Sequence, residues 1–374
     1  MKKRIAVLGA TGSIGASTLD VIRSRREDFE VALLSACFKG KELEVLGQEF
    51  PGAWLVLTRD SRELSRVIRE SRPEITVNGI AGAAGLEPSL AALEAGSDLV
   101  LANKETMVMA GPLVLALAAS TGRRILPVDS EHAAIWSLLE AHGREALEEI
   151  LLTASGGPFR KFPVEALAGI SPMEALKHPT WNMGPKITVD SATMANKGLE
   201  VIEAARLFEV SPEQIQVLVH PQSIVHSMVR LKNGAIYADM SKPDMRLPIH
   251  NALAYPDCLP CPFGRLDLAG LNLEFEKSDP ARFPMLPLAY EAARLGGLYP
   301  AAYNAANETA VGAFLEGPGD GAPGFLDIPR IVEYVLGSDW DCSGKLEDPA
   351  ALEAILEADR QARDLAEHYI REKN

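Results

Sequence analysis

The chain has 374 residues, 47% of them apolar, and a formal net charge of −14. That length exceeds one ordinary domain and supplies apolar side chains for two or three cores. The charge argues against nucleic acid or an anionic membrane as a partner, but leaves room for a local cationic pocket for a phosphate. The four cysteines, Cys37, Cys258, Cys261 and Cys342, are too few and too scattered for a disulfide framework. Cys258-Leu-Pro-Cys261 lacks the second pair, or the histidines, that a structural zinc site needs.

The chain starts Met-Lys-Lys-Arg, and the apolar run at 5–10 is too short for a secretory segment and leads straight into a glycine loop. The longest near-apolar stretch, 106–120, is broken by Gly111-Pro112 and is too short to span a bilayer. A soluble cytoplasmic protein is expected. Short apolar runs at 4–8, 31–36, 53–57, 75–77, 98–101 and 124–128 alternate with helix-like segments such as 61–70 and 89–95. That alternation predicts an α/β fold with a parallel sheet covered on both faces.

The first run leads into Gly9-Ala-Thr-Gly12-Ser-Ile-Gly15, and a helical segment follows at 16–25. Strand, glycine turn and helix N-terminus together form a pyrophosphate cradle, so a Rossmann-like doubly wound domain at 1–122 is expected. An NAD site carries an acid near the end of the second strand. Here that place reads Ser35-Ala36-Cys37-Phe38-Lys39-Gly40-Lys41, with no acid and two lysines, which favours NADPH. The plain alternative makes Lys39 and Lys41 ordinary solvated lysines at a helix start. At the end of the fifth strand stand Asn103, Lys104 and Glu105, where ligands of open α/β sheets gather. They are expected to face cofactor and substrate; the alternative is a helix cap by Asn103 with its neighbours in solvent.

Residues 125–200 carry the chemistry. Asp129 and Glu131 close the sixth run, and residues two apart on a strand share a face, so both carboxylates can aim at one point. Glu200 can add a third from a helix. Three hard oxygen ligands without a cysteine suit Mg²⁺ or Mn²⁺ better than zinc, whereas the bland reading makes them surface or capping acids. Beyond a strand at 149–153, Ser155-Gly156-Gly157 can bind a phosphate through hydroxyl and backbone N–H groups. His178-Pro179-Thr180-Trp181-Asn182-Met183-Gly184 reads equally well as a mobile lid and as a core tryptophan beside a proline turn. Ser191 is expected to start the segment that becomes a helix with Asn196, Lys197 and Glu200 on one side. An ammonium and an amide beside a metal carboxylate fit an oxyanionic, phosphorylated substrate; an exposed Lys–Glu helix pair is the plain alternative.

Segments 217–219, 224–230 and 235–240 alternate like antiparallel strands, with Asn233-Gly234 as a tight turn. Such a sheet suits pairing with a second copy, so a homodimer is expected. The remaining pattern gives a central α+β catalytic and dimerisation domain at 123–258 with a mostly antiparallel sheet. A connector at 259–282 and a C-terminal helical bundle at 283–374 follow.

GATGSIG (9–15), LANKE (101–105), PVDSEH (127–132), LTASGGPF (152–159), HPTWNMG (178–184), KITVDSATMANKGLE (186–200), HPQSIVHSMV (220–229), PDMRLPI (243–249) and NAANE (304–308) occur in this order. In these segments the sequence resembles the 1-deoxy-D-xylulose 5-phosphate reductoisomerase family, in a bacterial form without a transit segment. The resemblance implies that Asp129, Glu131 and Glu200 bind a divalent metal (Mg²⁺ or Mn²⁺, with Co²⁺ a further candidate). It implies that Lys104 bridges substrate and nicotinamide, and that Ser130 contacts the substrate backbone. Ser155, Ser191, Asn196 and Lys197 would hold its phosphate and hydroxyls, with His178 beside them. Trp181 and Met183 fall where the family has its closing flap. Thr11, Gly12, Ser13 and Ile14 look like pyrophosphate contacts, while Asn103, Glu105 and Gly184 are expected near the bound cofactor. One departure is Cys37-Phe38-Lys39, which replaces the family's more usual glycine, lysine and asparagine. The reaction implied is rearrangement of 1-deoxy-D-xylulose 5-phosphate and NADPH-dependent reduction to 2-C-methyl-D-erythritol 4-phosphate. Rival readings are another NADP-dependent oxidoreductase, such as a semialdehyde dehydrogenase, and a non-catalytic nucleotide sensor. The first needs a mid-chain nucleophilic cysteine, and none lies between 37 and 258.

Overall fold

The computed structural model describes residues 2–372 apart from 178–180, 182, 264–265, 318–321 and 342–343. Six parallel strands, β1 (Lys3–Leu8), β2 (Phe29–Ala36), β3 (Trp54–Leu57), β4 (Ile75–Asn78), β5 (Asp98–Leu101) and β6 (Ile125–Pro127), stand in the order β3-β2-β1-β4-β5-β6. This is the doubly wound order, with its switch point between β1 and β4. Ile5, Ala6, Val7 and Leu8 are wholly buried, as central parallel strands covered on both faces should be.

The glycine loop turns from β1 into helix α1 (Ser13–Ser24). Gly9 has φ +75°, and a Cβ there would lie 3.0 Å from the Gly79 carbonyl oxygen, so only glycine fits the turn. Four helices, α2 (Gly40–Glu49), α3 (Ser61–Ser71), α4 (Leu86–Glu94) and α5 (Lys104–Thr121), complete the nucleotide-type half. α5 leaves helical geometry at Ala110, just before Gly111-Pro112, where proline offers no backbone N–H to the ladder.

After helix α6 (Ser130–His142) a second sheet begins with β7 (Leu147–Ala154). Its other strands are β8 (Ile215–Val219), β9 (Val225–Leu231), β10 (Ile236–Met240) and β11 (Glu276–Lys277), ordered β10-β9-β7-β8-β11. Only the β7/β8 pairing is parallel; the other three are antiparallel. Gly234, at φ +85°, makes the tight β9–β10 turn. β11 comes from the stretch read as a connector and pairs with β8 at the sheet's edge.

Helices α7 (Pro172–Ala175), α8 (Pro185–Thr193), α9 (Ala195–Leu207) and α10 (Arg246–Ala254) belong to this part of the chain. α8 and α9 are separate helices, because Met194 between them is left-handed (φ 63°). Ser191 therefore ends one helix and does not begin the helix of Asn196. α11 (Met285–Leu295), α12 (Tyr299–Leu315), α13 (Asp327–Leu336) and α14 (Ala351–Glu372) close the chain. They share an apolar core with α8 and α9, so the helical end presses on the back of the segment that carries Lys197 and Glu200. No helix among the described residues is long and apolar enough to cross a membrane.

Candidate active site

The site starts at the end of β5. Asn103 accepts a hydrogen bond from the Thr106 N–H (3.0 Å) and so caps α5. Its amide donates to the Ile80 and Gly82 carbonyls at 2.8 and 2.9 Å. This fixed turn sends the next two side chains in opposite directions. Lys104 Nζ lies 2.5 Å from Asp129 Oδ2, 2.9 Å from Glu200 Oε1 and 2.8 Å from Asn196 Oδ1. Glu105 turns away and meets Lys186 Nζ at 2.9 Å.

Asp129 and Glu131 do converge, but not by strand alternation. β6 ends at Pro127; Asp129 is the residue before α6, and Glu131 sits in its first turn. A carboxylate there also gains from the helix dipole. Glu200 arrives from α9, one turn past Lys197. Lys197 Nζ reaches Glu131 Oε1 at 2.8 Å and also pairs with Glu200. One oxygen from each of Asp129, Glu131 and Glu200 lies within 4.8 Å of the other two. His132 is wholly buried behind them; its Nε2 donates to the Glu200 carbonyl (3.0 Å), and Nδ1 faces Glu203 at 3.5 Å.

The charges do not balance. Burial disfavours the Asp129 carboxylate, yet Lys104 outweighs this and holds its carboxyl well below the ordinary value. Lys104 itself is disfavoured by burial but raised well above its usual range by Asp129 and Glu200. Glu131 goes the other way: burial, then the negative charge of Glu200, push it up to about 7. Three carboxylates share two ammonium groups, so ionising all three leaves one negative charge over in a desolvated place, and Glu131 holds its proton up to about 7 for that reason. All-oxygen donors around surplus negative charge fit a hard divalent cation.

The cluster opens on a cleft of about 470 Å³. Ser13 and Ile14 line it from the glycine loop, Ser155 from the end of β7, and Ser191 from the end of α8. A Cβ on Gly157 (φ +66°) would lie 2.6 Å from the Ser191 carbonyl oxygen, so glycine lets these two serines approach. Ser130, Trp181, Met183, Asn196 and Lys197 complete the expected set within the cleft. His178, expected beside them, lies outside the described residues, as do Pro179, Thr180 and Asn182.

Asn103 and Glu105 are buried beneath the cleft and do not line it, and neither do Thr11, Gly12 and Gly184. Glu105 is buried rather than solvated. Burial opposes its charge, but Lys186 wins and holds its carboxyl below the ordinary value. Lys39 is exposed at the start of α2. The sequence reading passed over Ser17, Met194, Ser223 and the Pro243–Arg246 stretch, all of which line the cleft. PDMRLPI, a polar segment straight after an antiparallel strand, was the available signal.

Fold and cleft together define a class: a dinucleotide-fold protein whose cleft joins the glycine loop to a carboxylate cluster able to hold a cation. Similarity to known proteins then gives the particular family. Residues 5–65 and 52–111 match 1-deoxy-D-xylulose 5-phosphate reductoisomerase, 125–208 match that enzyme's C-terminal domain, and 240–365 match the DXP reductoisomerase C-terminal domain. A protein of that name from Treponema denticola is 46% identical over 376 residues, covering 98% of this chain and 96% of the relative. One from Chlorobaculum tepidum is 46% identical over 394 residues, covering 98% and 100%. Among solved structures, a DOX-P reductoisomerase in complex with NADPH, fosmidomycin and magnesium superposes with a TM-score of 0.91 at 37% identity, covering 99% of this chain and 98% of that one. The Zymomonas mobilis enzyme in complex with NADPH gives 0.88 at 38% identity, with 99% of each chain covered. This chain belongs to the 1-deoxy-D-xylulose 5-phosphate reductoisomerase family.

Proposed function

We infer that this protein converts 1-deoxy-D-xylulose 5-phosphate to 2-C-methyl-D-erythritol 4-phosphate, by rearrangement to a branched aldehyde phosphate and reduction with NADPH. The observation that carries the reading is the surplus-charge cluster of Asp129, Glu131 and Glu200 facing the same cleft as Ser13 and Ile14. The rearrangement is an isomerisation; the reduction takes one hydride and one proton.

Asp129, Glu131 and Glu200 would hold the cation, magnesium by the family's structures, with manganese or cobalt as substitutes. That cation supplies Lewis acidity towards a carbonyl and a neighbouring hydroxyl oxygen. NADPH, on the glycine loop, supplies the hydride. Lys104 and Lys197 keep positive charge on the cleft wall, where an anionic substrate and the oxyanion of a reacting carbonyl need it. Ser155, Ser191 and Asn196 offer hydrogen-bonding groups for the phosphate, remote from the bond changes, and so supply orientation. Trp181 and Met183 give the cleft lining apolar surface, which would help to exclude water from a bound substrate.

The domain division at 122, 258 and 282 follows the same reading, as does a cytoplasmic location. A homodimer is supported by β10, an edge strand with exposed Ile236, Tyr237 and Met240. The test is NADPH oxidation on addition of the sugar phosphate, followed by near-ultraviolet absorbance, with magnesium or with EDTA. Turnover that needs magnesium supports the reading. Turnover unaffected by EDTA would point to a metal-free reductase, and NADPH binding without turnover to a sensor.

A further inference from the structure

If the cofactor is NADPH, something must recognise its 2′-phosphate, and the segment after β2 carries lysines and no acid. We propose that Arg59 is the residue that selects NADPH over NADH, by pairing its guanidinium with the 2′-phosphate. This rests on the reductase reading above.

Three observations place it. β2 and β3 pair in register through Ala36 and Leu57, and the Thr58 N–H donates to the Ala36 carbonyl at 3.0 Å. Two residues on along each strand, Arg59 lies over the Phe38 ring, its guanidinium carbon 4.0 Å from the centroid. Phe38 is 69% exposed, an unusual amount of apolar ring to leave in water without a partner on it. Second, the nearby acids are not paired with it: Asp60 caps α3 by accepting from the Arg62 N–H at 2.8 Å, and Glu42 lies in the first turn of α2. Residues 35–41 contain no acid, so nothing stands ready for a ribose 2′-hydroxyl. Arg23, Arg26, Arg66 and Arg69 on the same half of the molecule each hold a carboxylate, whereas Arg59 has no carboxylate partner among the described residues. Third, further positive charge converges there. Lys39 and Lys41 are exposed at the first turn of α2, whose N-terminal dipole end adds to theirs. Gly40 brings that turn close to β3: a Cβ there would lie 3.1 Å from Leu57 Cδ2.

The glycine loop adjoins the same edge. The Ala10 N–H donates to the Ser35 carbonyl at 2.8 Å and the Gly9 N–H to the Ser35 hydroxyl at 3.3 Å. A dinucleotide with its pyrophosphate on Ser13 and Ile14 therefore has its adenosine end beside β2 and β3. Arginine suits the task for two reasons: its planar fork matches a phosphate, and its flat face rests on an aromatic ring without losing its donors. Phe38 holds the guanidinium in place before the nucleotide arrives, which lowers the ordering cost of binding.

The experiment is equilibrium binding of NADPH, NADH and adenosine 2′,5′-bisphosphate to the full chain, by fluorescence or calorimetry, for wild type, Arg59→Gln and Arg59→Lys. Arg59→Gln is expected to weaken NADPH and the bisphosphate by about ten- to a hundredfold, the worth of one charge-assisted hydrogen-bonded pair, and to leave NADH within about twofold. Arg59→Lys should recover part of the loss. Wild type that binds neither dinucleotide overturns the reductase reading itself. Wild type that binds NADPH, with Arg59→Gln changing it by less than about threefold or weakening NADH equally, overturns the assignment of Arg59 alone.

Discussion

Lys104 and Glu105 are neighbours on one helical turn, yet they enter two different buried charge clusters. On the Lys104 side, Asp129, Glu131 and Glu200 share two ammonium groups, and Glu131 is left with its carboxyl near 7. On the Glu105 side, Lys186 spans Glu105 and Asp190 at 2.9 Å each. Neutral amides take the remaining oxygens: Asn103 donates to Glu105 and Asn307 to Asp190, both at 2.9 Å. The second cluster lies away from the cleft and ties the β5 turn to α8 and α12. Residue types are nearly the same in both. Each cluster has one carboxylate more than ammonium groups, so what separates a site from a clasp is whether that charge lies where a ligand can reach it.

Substitutions on either side sharpen that contrast. The largest effect belongs to Glu200→Gln, which removes the carboxylate common to both ammonium groups. It should lower kcat on the order of a thousandfold at saturating magnesium, with the NADPH dissociation constant within about threefold; wild-type turnover would show that Glu200 is no ligand. Next come Lys104→Met, which leaves Asp129 without its buried ammonium partner, and Lys186→Met, which leaves Glu105 and Asp190 without theirs, each at a cost of about 3–5 kcal/mol. Urea unfolding in EDTA and in magnesium distinguishes them. Magnesium stabilises every variant that keeps the folded carboxylate cluster, so the readout is the gap to wild type: in magnesium it should narrow for Lys104→Met, where the cation replaces the missing ammonium, and stay unchanged for Lys186→Met. Rescue of both, or of neither, would erase the distinction between the clusters.

Glu105→Gln gives the smallest effect and a pH signature. The Glu105 carboxyl lies below its ordinary 4.5 in the fold, so its contribution is full above that pH and is lost as pH falls through the lower folded value. The variant should be less stable by about 1–2 kcal/mol near neutrality, the gap closing only in acid. A gap independent of pH would mean that the carboxylate's charge plays no part in the clasp.

Much of this was legible beforehand. The six parallel strands are continuous apolar runs, because both of their faces are covered, and such runs stand out between turns. The glycine loop announced itself through the strand before it and the helix after it. The three carboxylates converge as expected, but by a different route: Glu131 comes round on the first turn of α6, not on a strand. Local pattern could not show that Asn103 caps α5 or that Glu105 is buried on an ammonium, since that partner, Lys186, lies 81 residues on. The break at Met194 was missed for a related reason. A left-handed methionine carries no sequence mark, unlike glycine, and is held there by packing on both sides.

The sequence by itself determined the alternation of strands and helices, the pyrophosphate turn and the kinds of side chain available for chemistry, because these depend on neighbours a few residues apart. Only the tertiary structure decided which charges meet. Lys104 and Glu200 are 96 residues apart along the chain, and nothing local brings them to 2.9 Å. Their meeting, and the negative charge left beside it, follow from how β5, α6 and α9 pack. Coulombic energy in a desolvated place depends on distance and exposure, and the order of residues records neither.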